Sequence, residues 1–144
     1  MTDIILLDTN VVSELMRQMP DQRVLGWFEL HKNAGFVVSA ITRAEIHLGI
    51  QLLPDGKRKE GLAAAATRMF MEDFAACLSF DESGADLYAG LVSNRMRQGQ
   101  PVSTEDGQIA AVALANRIPL ATRNTKDFEN ITGLTVLNPW EPVT

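Results

Sequence analysis

The stretch Ile4-Ile5-Leu6-Leu7-Asp8-Thr9-Asn10 decides the fold of this 144-residue chain. Its first four residues form an unbroken apolar run, which is typical of a strand buried on both faces of a parallel sheet. The polar residues that follow are good helix N-caps, and they predict a short helix over 11–17. A buried strand followed at once by a helix indicates an α/β domain.

The same alternation of short apolar strands and helices continues along the chain. Strands are predicted over 36–39, 118–122 and 134–137. Helices are predicted to begin at Pro20-Asp21, to cover 42–53, 57–76 and 103–116, and to run from Phe80-Asp81 to near Gly99. No internal repeat or linker interrupts this pattern. We therefore expect a single domain over 1–144, a three-layer α/β/α fold with a central, mainly parallel sheet.

Composition and charge narrow the classes of function. Apolar residues make up 46% of the chain and charged residues 22%, which is ordinary for a globular protein and argues against disorder. The chain carries 18 acidic against 13 basic residues, and this net charge of −5 argues against a protein that binds DNA by bulk positive charge. The same balance leaves room for a nucleic-acid enzyme whose carboxylates are gathered at a metal site.

The single cysteine and the N-terminus bear on redox chemistry and location. Cys77 permits no intramolecular disulfide, and because it lies in the apolar run 74–78 we predict a buried, inert thiol. The stretch Met1-Thr2-Asp3-Ile4 lacks the basic region of a signal peptide, and no stretch approaches the roughly 18 apolar residues of a membrane span. We therefore expect a cytoplasmic protein that does not enter a membrane.

Carboxylates and one amide follow the predicted strands at corresponding places. Asp8 ends the first strand, Glu45 lies early in the helix after the second, and Asp106 lies in the first turn of the helix over 103–116. Asn124 and Asp127 follow the strand over 118–122. Ligands of an open parallel sheet bind beyond the carboxyl ends of its strands, so we expect these side chains to converge on one site.

Two interpretations of the acidic residues are open. Each one alone fits helix capping, with Thr42-x-x-Glu45 and Ser103-x-x-Asp106 as capping boxes, and such an acid contributes about 0.3–1 kcal/mol. Three carboxylates within about 4 Å repel by about 4 kcal/mol per pair at an effective dielectric constant near 20. Capping offsets too little of that repulsion, whereas a divalent cation with a preference for oxygen ligands, Mg²⁺ or Mn²⁺, converts it into binding.

Other phosphate chemistries lack their motifs. Asp8-Thr9-Asn10 after a strand is similar to the start of aspartyl-phosphate phosphatases, but these need a second Asp where Asn10 stands. A small-substrate phosphatase is therefore disfavoured. The chain contains no G-x-x-x-x-G-K-[ST], G-x-G-x-x-G or G-x-S-x-G pattern, so nucleotide-binding loops and a nucleophile elbow are not predicted.

Four segments in order resemble the PIN-domain ribonucleases, and more narrowly the VapC/FitB type II toxins of bacterial toxin–antitoxin pairs. They are ILLDTNVVSE over 5–14, SAITRAEIHLG over 39–49, DGQIAA over 106–111 and ATRNTKDF over 121–128. The terminal Asn138-Pro139-Trp140 suits the FitB-like branch. The resemblance covers nearly the whole chain.

The resemblance implies metal-dependent cleavage of RNA phosphodiesters. The first three acids of the family fall on Asp8, Glu45 and Asp106, which would be the metal ligands. The fourth acidic position falls on Asn124, a departure from the family pattern, and Asp127 would be its substitute or only a turn cap. One-metal and two-metal schemes therefore both stay open. The alternative is a weakly or non-catalytic PIN scaffold that acts as a protein-binding module.

Partners are implied as well. The family pairs with a cognate antitoxin, which supplies the binding to operator DNA, and its members commonly form homodimers. The predicted helix over 57–76 has more apolar residues than are needed for a single apolar face directed at the core. Part of this helix is therefore either buried in the core or forms, with Trp27 or Leu52-Leu53, a groove that binds the antitoxin.

Further residues near the acids have two interpretations each. Hydroxyl and amide side chains fit either supports of the carboxylates or ordinary capping: Thr9, Asn10, Ser103 and Thr122. Basic residues fit either contacts with RNA phosphates or solvated charges: Arg43, Arg123 and Lys126. His47 is two residues from Glu45, hence on another side of the helix, and is predicted to be structural.

Overall fold

Five parallel strands form one sheet in the computed structural model, which describes residues 3–141. The strands are β1 (Ile4–Leu7), β2 (Gly35–Ser39), β3 (Ala76–Leu78), β4 (Leu120–Ala121) and β5 (Val136–Leu137), and they lie in the order β3-β2-β1-β4-β5. The N-terminal stretch that was compared with signal peptides begins with Met1 and Thr2, and these two residues lie outside the described residues. The predicted parallel sheet is confirmed, with β1 at its centre.

Within the described part of the chain, six α-helices flank this sheet: α1 (Thr9–Leu15), α2 (Gln22–Leu30), α3 (Ala40–Gln51), α4 (Lys57–Arg68), α5 (Glu82–Arg97) and α6 (Thr104–Asn116). A π-helical turn, Met69–Asp73, continues α4, and a 3₁₀ turn, Thr125–Phe128, follows β4. Among the helices of residues 3–141, none combines the length and the apolarity needed to traverse a bilayer.

Strand β1 separates two hydrophobic cores, which explains its continuous apolar run. Ile5 and Leu7 lie in the core on one face, formed with α1, α2 and α3, whereas Leu6 lies in the core on the other face, formed with α5 and α6. All three side chains are at most 2% exposed. Since successive side chains of a strand point to opposite faces, only a strand covered on both sides needs every position to be apolar.

Helix α3 begins earlier than its sequence pattern predicts. The Ser39 hydroxyl accepts the backbone N–H of Thr42 at 3.1 Å, so Ser39 is the N-cap and Thr42 lies inside the first turn. The predicted capping box that begins at Thr42 is therefore wrong. Ser39 satisfies the free N–H group at the helix start, and the Thr42 side chain is left for another contact.

The predicted helix over 57–76 is too long, and a strand was missed. Helix α4 ends at Arg68, and after the π-helical turn the backbone N–H of Ala75 donates to the carbonyl of Phe36 at 2.9 Å. That bond joins the chain to β2 and starts the edge strand β3. A strand of three residues is too short to show the alternation of side chains that distinguishes a strand from the end of a helix.

Cys77 lies in β3 and is exposed, so the prediction of a buried thiol is wrong. An edge strand has one neighbouring strand instead of two, and of the three residues in β3 only Leu78 is half-buried. The apolar neighbours of Cys77 in sequence did not reveal that its strand lies at the rim of the sheet.

Candidate active site

Asp8 directly follows β1 and is only 4% exposed. Its Oδ1 atom accepts the backbone N–H of Thr9 at 2.8 Å, as an N-cap of α1 does. Its Oδ2 atom accepts the Thr122 hydroxyl at 2.7 Å and, at 3.4 Å, the Asn10 side-chain amide. The carboxylate is thus oriented by groups from α1 and from the end of β4.

Thr122 connects the end of β4 to this carboxylate. The residue is completely buried, and besides donating to Asp8 its hydroxyl accepts the Asn10 amide at 3.2 Å and the backbone N–H of Asn124 at 3.1 Å. The side-chain Oδ1 atom of Asn10 accepts the backbone N–H of Arg123 at 3.2 Å. Asn10 and Thr122, which the sequence left open between support of the carboxylates and ordinary capping, both contact Asp8 directly.

Glu45 is held by Thr9, whose hydroxyl also contacts that of Thr42. The Thr9 hydroxyl donates to Glu45 Oε1 at 2.7 Å, and it lies 3.0 Å from the Thr42 hydroxyl. Thr42 is completely buried one helical turn before Glu45. Sequence reasoning treated Thr42 only as a cap, although its spacing of three residues from Glu45 places both side chains on one face of α3.

Asp106 lies in the first turn of α6, where the Ser103 hydroxyl accepts its backbone N–H at 3.1 Å. Burial is the main cause that raises the pKa of Asp106 above its ordinary value, and the charges of Asp127, Glu45 and Glu105 raise it further. A separate hydrogen bond, from the Ser103 side chain to the Asp106 carboxyl group, lowers the pKa and opposes these effects. Asp106 therefore lies within the electrostatic field of carboxylates from α3 and from the turn after β4.

The pKa of Asp8 is raised from 3.8 to about 6. Burial is the largest cause, the hydrogen bonds from Thr122 and Thr9 oppose it, and the charges of Asp106 and Glu45 add to it. Among residues 3–141, no Lys, Arg or His forms an ion pair with Asp8, Glu45, Asp106 or Asp127. This edge of the sheet therefore concentrates negative charge that the described part of the chain does not neutralise.

The turn after β4 contains Asn124 and Asp127, the two residues considered for the fourth acidic position. Asn124 is exposed, and its hydrogen bonds in this network come from its backbone, whose carbonyl accepts the N–H of Asp127 at 3.0 Å. Of these two residues, Asp127 is the one whose charge raises the pKa of Asp106. The structure thus places an acidic side chain near the site three residues after the position that carries Asn.

Arg95 of α5 joins the two segments that carry Asp106 and Asp127. The guanidinium is 5% exposed, and it donates to the carbonyls of Gln100 at 2.7 Å, Asp127 at 3.0 Å and Glu129 at 2.7 Å. Gln100 belongs to the loop that leads into α6, and the other two acceptors lie at the turn after β4. Sequence reasoning missed this residue because a basic side chain in the last turn of a helix is ordinary.

The donor set at this edge of the sheet suits a small divalent cation, although the carboxylates do not form a closed cage. In the described range 3–141, no three Asp, Glu, His or Cys side chains lie close enough together to hold one ion. Mg²⁺ is usually bound by one or two carboxylates and keeps several waters, so it does not need such a cage. The donors offered are carboxylate, hydroxyl and amide oxygens, which fit Mg²⁺ or Mn²⁺.

Two arginines beside the site stack on aromatic rings. The guanidinium of Arg43 lies 5.1 Å from the ring centre of Phe70, and that of Arg123 lies 5.1 Å from the ring of Trp140. His47 also packs against Phe70, at 5.4 Å between ring centres, in agreement with a structural role. Lys126 is exposed on the 3₁₀ turn.

The chain after α4 contributes both to the core and to the surface. Met69 and Phe74 are buried, as the core interpretation predicts, and with Leu15 and Phe28 they line a cavity of about 270 Å³. Met71, after α4, is 77% exposed, and Leu52, in the loop before α4, is 76% exposed, so apolar side chains also face solvent on both sides of this helix in the sequence. Trp27 is 5% exposed and is therefore not available to line a partner groove.

Comparison with known proteins identifies relatives of the whole chain. A family model described as the PIN domain matches residues 5–134. The plasmid stability protein StbB of Pseudomonas syringae pv. tomato is 43% identical over 96% of this chain and 99% of its own length. The VapC ribonuclease Y4jK of Sinorhizobium fredii is 38% identical, again over 96% and 99%, and the toxin FitB of Neisseria gonorrhoeae is 39% identical over 95% and 99%.

A solved structure shows the same fold. The structure of FitAB bound to a DNA fragment contains a chain that superposes with a TM-score of 0.88 at 38% identity, covering 97% of this chain and 98% of that one. The parallel sheet and its flanking helices are therefore an arrangement that has been observed by experiment in a related protein.

Proposed function

The chain belongs to the PIN-domain family, alongside the VapC and FitB proteins, and on that premise we propose that it is a Mg²⁺- or Mn²⁺-dependent endoribonuclease toxin neutralised by a cognate antitoxin. Its VapC relative is named a ribonuclease and its FitB relative a toxin. The finer claims, which are the cation, the residues and the cleavage itself, rest on the chemistry of the site described above.

The buried carboxylate of Asp8 carries the proposal. Burial and the neighbouring charges of Asp106 and Glu45 raise its pKa to about 6, which means that the folded protein destabilises the ionised form of this carboxyl group. A carboxylate kept in such a place without a cationic side chain is suited to bind a cation from solution. Helix capping does not require this burial, since exposed acids also cap helices.

Two of the three acids Asp8, Glu45 and Asp106 would hold the cation directly and the third through a water molecule, with Asp127 near enough to influence it. When bound, a divalent cation would supply Lewis acidity at the scissile phosphate and lower the pKa of a water molecule in its shell. The protein's part is to fix the donors in place. Thr122 and Asn10 keep one oxygen of Asp8 directed into the network, and Thr9 holds Glu45 against α1.

The histidines of the chain are occupied elsewhere, which agrees with chemistry that needs no imidazole base. His31 bonds through Nδ1 to the carbonyl of Trp27 at 2.8 Å and packs against the Trp27 ring. His47 packs against Phe70. Proton transfer in this proposal is therefore left to the carboxylates and to water.

An antitoxin would be the protein partner. A solved structure has FitAB bound to a DNA fragment, and by analogy we propose that operator DNA is bound through the antitoxin. The proposal also includes a homodimer of the toxin and a cytoplasmic location. The apolar cavity beside Met69 and Phe74, with the exposed Met71 nearby in sequence, offers a surface for an apolar antitoxin segment.

A second candidate function is a PIN scaffold with weak or no cleavage. Two observations favour it: Asn124 stands at the fourth acidic position, and the carboxylates within residues 3–141 do not form a group of three around one point. In this alternative the chain acts by binding its partner.

RNA cleavage by the purified, antitoxin-free protein separates the two functions. Total tRNA is incubated with the wild type in Mn²⁺ or in EDTA, and with Asp8→Asn, Asp106→Asn and, as a matched control, Asp86→Asn, which alters an exposed carboxylate on α5. We expect cleavage that needs the cation, is lost in the first two variants and persists in the control. Intact RNA with the wild type under every cation condition would favour the scaffold, and persistent activity in Asp106→Asn would refute the assigned site.

A further inference from the structure

Arg95 is a buried arginine whose hydrogen-bond acceptors are all main-chain carbonyls. It lies in the last turn of α5, is 5% exposed, and within residues 3–141 forms no ion pair. Its Nε atom donates to the carbonyl of Gln100 at 2.7 Å, and its Nη1 atom donates to the carbonyls of Asp127 at 3.0 Å and Glu129 at 2.7 Å. Burying a charged side chain without a carboxylate partner costs free energy, whereas an apolar side chain of similar size fills the same space without that cost.

The first of these acceptors lies in the loop that leads into α6. Helix α5 ends with Gly99 in the left-handed region, at φ 73°, and the backbone N–H of Gln100 donates to the Arg95 carbonyl at 2.9 Å. A helix end of this kind reverses the chain, which brings the Gln100 carbonyl to the Arg95 side chain. Three residues later, Ser103 caps α6 and accepts the backbone N–H of Asp106 at 3.1 Å. Arg95 therefore holds the beginning of the segment that leads to Asp106.

The other two acceptors lie on either side of Phe128 in the turn after β4. Phe128 is 2% exposed and packs in the core that contains α6, whereas Asp127 and Glu129 are exposed. The side-chain amide of Asn130 donates to Gln100 Oε1 at 3.1 Å, which adds a second connection to the loop before α6. The turn is thus tied both to the core and to that loop.

The rigid guanidinium of Arg95 sets the separation of these two segments. Its planar group keeps Nε and Nη1 in a fixed arrangement, so one carbonyl of the loop and two of the turn are held at a constant distance from each other. Each segment carries an acid of the candidate site, and among the charges that raise the pKa of Asp106 that of Asp127 has the largest effect. The contacts of Arg95 therefore determine how closely the two carboxylates approach.

We propose that Arg95 is a positioning residue of the cation site, which keeps the carboxylate of Asp127 beside Asp106 and thereby sets the affinity for the cation. This inference rests on the proposed cation-dependent function. A carboxylate near a bound divalent cation strengthens its binding by attraction, whereas in the cation-free protein the same carboxylate repels Asp106. Arg95 holds the two acids together against that repulsion.

A purely structural role for Arg95 is the competing interpretation, and it makes a different prediction. Removal of a structural contact lowers the stability of the protein and leaves the cation affinity of the folded molecules unchanged. A positioning residue acts through the acid that it positions. Its loss weakens cation binding only while the Asp127 carboxylate is present, so the two substitutions are not additive.

Cation affinity is measured for Arg95→Met, Asp127→Asn and the double variant, with Arg97→Met as the matched control. Arg97 is an exposed arginine in the same turn of α5, so its substitution removes the same charge from the same helix. Mn²⁺ is titrated into the purified chain and the free ion is followed by electron paramagnetic resonance, at a temperature where urea unfolding shows each variant to be folded. Arg95→Lys, which keeps the charge but offers one ammonium group in place of Nε and Nη1, is measured in the same way.

We expect Arg95→Met and Asp127→Asn each to weaken Mn²⁺ binding about 10-fold, and the double variant also about 10-fold instead of the about 100-fold of independent effects. Arg95→Lys should lose about as much affinity as Arg95→Met, because one ammonium group cannot take both positions. Arg97→Met should bind like the wild type. Mn²⁺ well above the weakened Kd should restore cleavage of total tRNA to Arg95→Met but not to Asp8→Asn, which lacks a ligand.

Hydrogen exchange of the wild type gives a test that does not depend on the folding of any Arg95 variant. The amides of segments 98–103 and 125–129 should exchange about 10-fold more slowly when Mn²⁺ is added, and should not respond in Asp8→Asn. Unchanged exchange in both segments of a wild type that binds Mn²⁺ would show that they are not coupled to the cation, and would overturn the inference.

Wild-type affinity in Arg95→Met or Arg95→Lys would also overturn it, as would an equal loss in Arg97→Met. A double variant about 100-fold weaker than the wild type would show that Arg95 acts independently of Asp127, and a lower Tm at unchanged affinity would assign Arg95 a structural role alone. A wild type that binds no Mn²⁺ refutes the proposed function together with the inference. Binding that is lost in Asp8→Asn and kept in Arg95→Met refutes only the role of Arg95.

Discussion

Replacing Asp8 by Asn should make the cation-free protein more stable while it abolishes RNA cleavage. The fold buries this carboxylate at 4% exposure and places the charges of Asp106 and Glu45 near it. Ionised Asp8 is therefore a source of instability in the absence of a cation. An uncharged amide of nearly the same shape removes that cost and also removes the ligand.

The size of the effect follows from the pKa of Asp8. A rise from 3.8 to about 6 is a shift of about 2 pH units, which at 1.36 kcal/mol per unit corresponds to about 3 kcal/mol at neutral pH. The amide gives up part of the bond with Thr122, a loss of about 1 kcal/mol. We expect a net gain of about 1–2 kcal/mol, or about 2–8 °C in Tm for a chain of this size.

The gain should depend on pH in a defined direction. A carboxyl whose pKa is higher in the folded than in the unfolded state binds its proton more tightly when folded, so the native state loses stability as the pH rises from 3.8 to about 6 and stays level above that. The difference between variant and wild type should thus be largest near about pH 7.5, vanish near about pH 4.5, and reverse at lower pH, where only the loss of about 1 kcal/mol at Thr122 remains.

Thermal and urea unfolding in EDTA test this directly, with Asp86→Asn as the control at an exposed carboxylate. Added Mn²⁺ should then stabilise the wild type, by about 2.7 kcal/mol at 100 times its Kd, and leave Asp8→Asn unchanged. An Asp8→Asn protein less stable than the wild type at neutral pH, or a difference that does not change with pH, would refute the assignment of Asp8 as a destabilising, cation-binding group.

Three further substitutions test neighbouring parts of the site. Thr122→Val removes the hydroxyl that donates to Asp8 at 2.7 Å, and should reduce cation affinity by about 10–100-fold in calorimetry with little change in volume. Gly107→Ala places a Cβ atom 2.9 Å from the Tyr88 ring, and should destabilise the protein by about 1–3 kcal/mol in urea unfolding. Asp127→Asn removes a charge that acts on Asp106, and should weaken cation binding more than the same change at exposed acids elsewhere.

Each of these has a result that contradicts it. Full cation affinity in Thr122→Val would show that Asp8 does not need this hydroxyl. Wild-type stability in Gly107→Ala would show that α5 and α6 separate easily. Unaltered cation affinity in Asp127→Asn would show that the turn after β4 supplies no acidic residue to the cation site.

The sequence predicts the centre of this fold better than its rim. Strand β1 is buried on both faces, so every residue of its run is apolar and the pattern has one interpretation. Strand β3 has one neighbour and three residues, and it contains the exposed Cys77, so nothing in its composition separates it from the preceding helix. Periodicity reports the environment of long elements and is silent for short ones.

The candidate site shows a similar division. Asp8, Glu45 and Asp106 follow from strand ends and helix starts, because topology alone brings such positions together. Thr42 can contact Thr9 only because Ser39, and not Thr42, is the N-cap of α3. The spacing of the two hydroxyl residues in the sequence does not show which of them is the N-cap. The approach of Asp127 toward Asp106 depends on the course of a turn, and turns are set by contacts distant in sequence.

The Arg95 side chain fixes the turn after β4 through the main chain of that turn, since the acceptors at Asp127 and Glu129 are backbone carbonyl groups. Every residue type offers the same carbonyl, so the side chains of that turn are free to change without loss of its position. Substitutions between Asp and Asn at 124 or 127 would then retune the charge at the site while its scaffold stays in place. The charge at this edge of the sheet and the position of the turn that carries it are therefore determined by different parts of the chain.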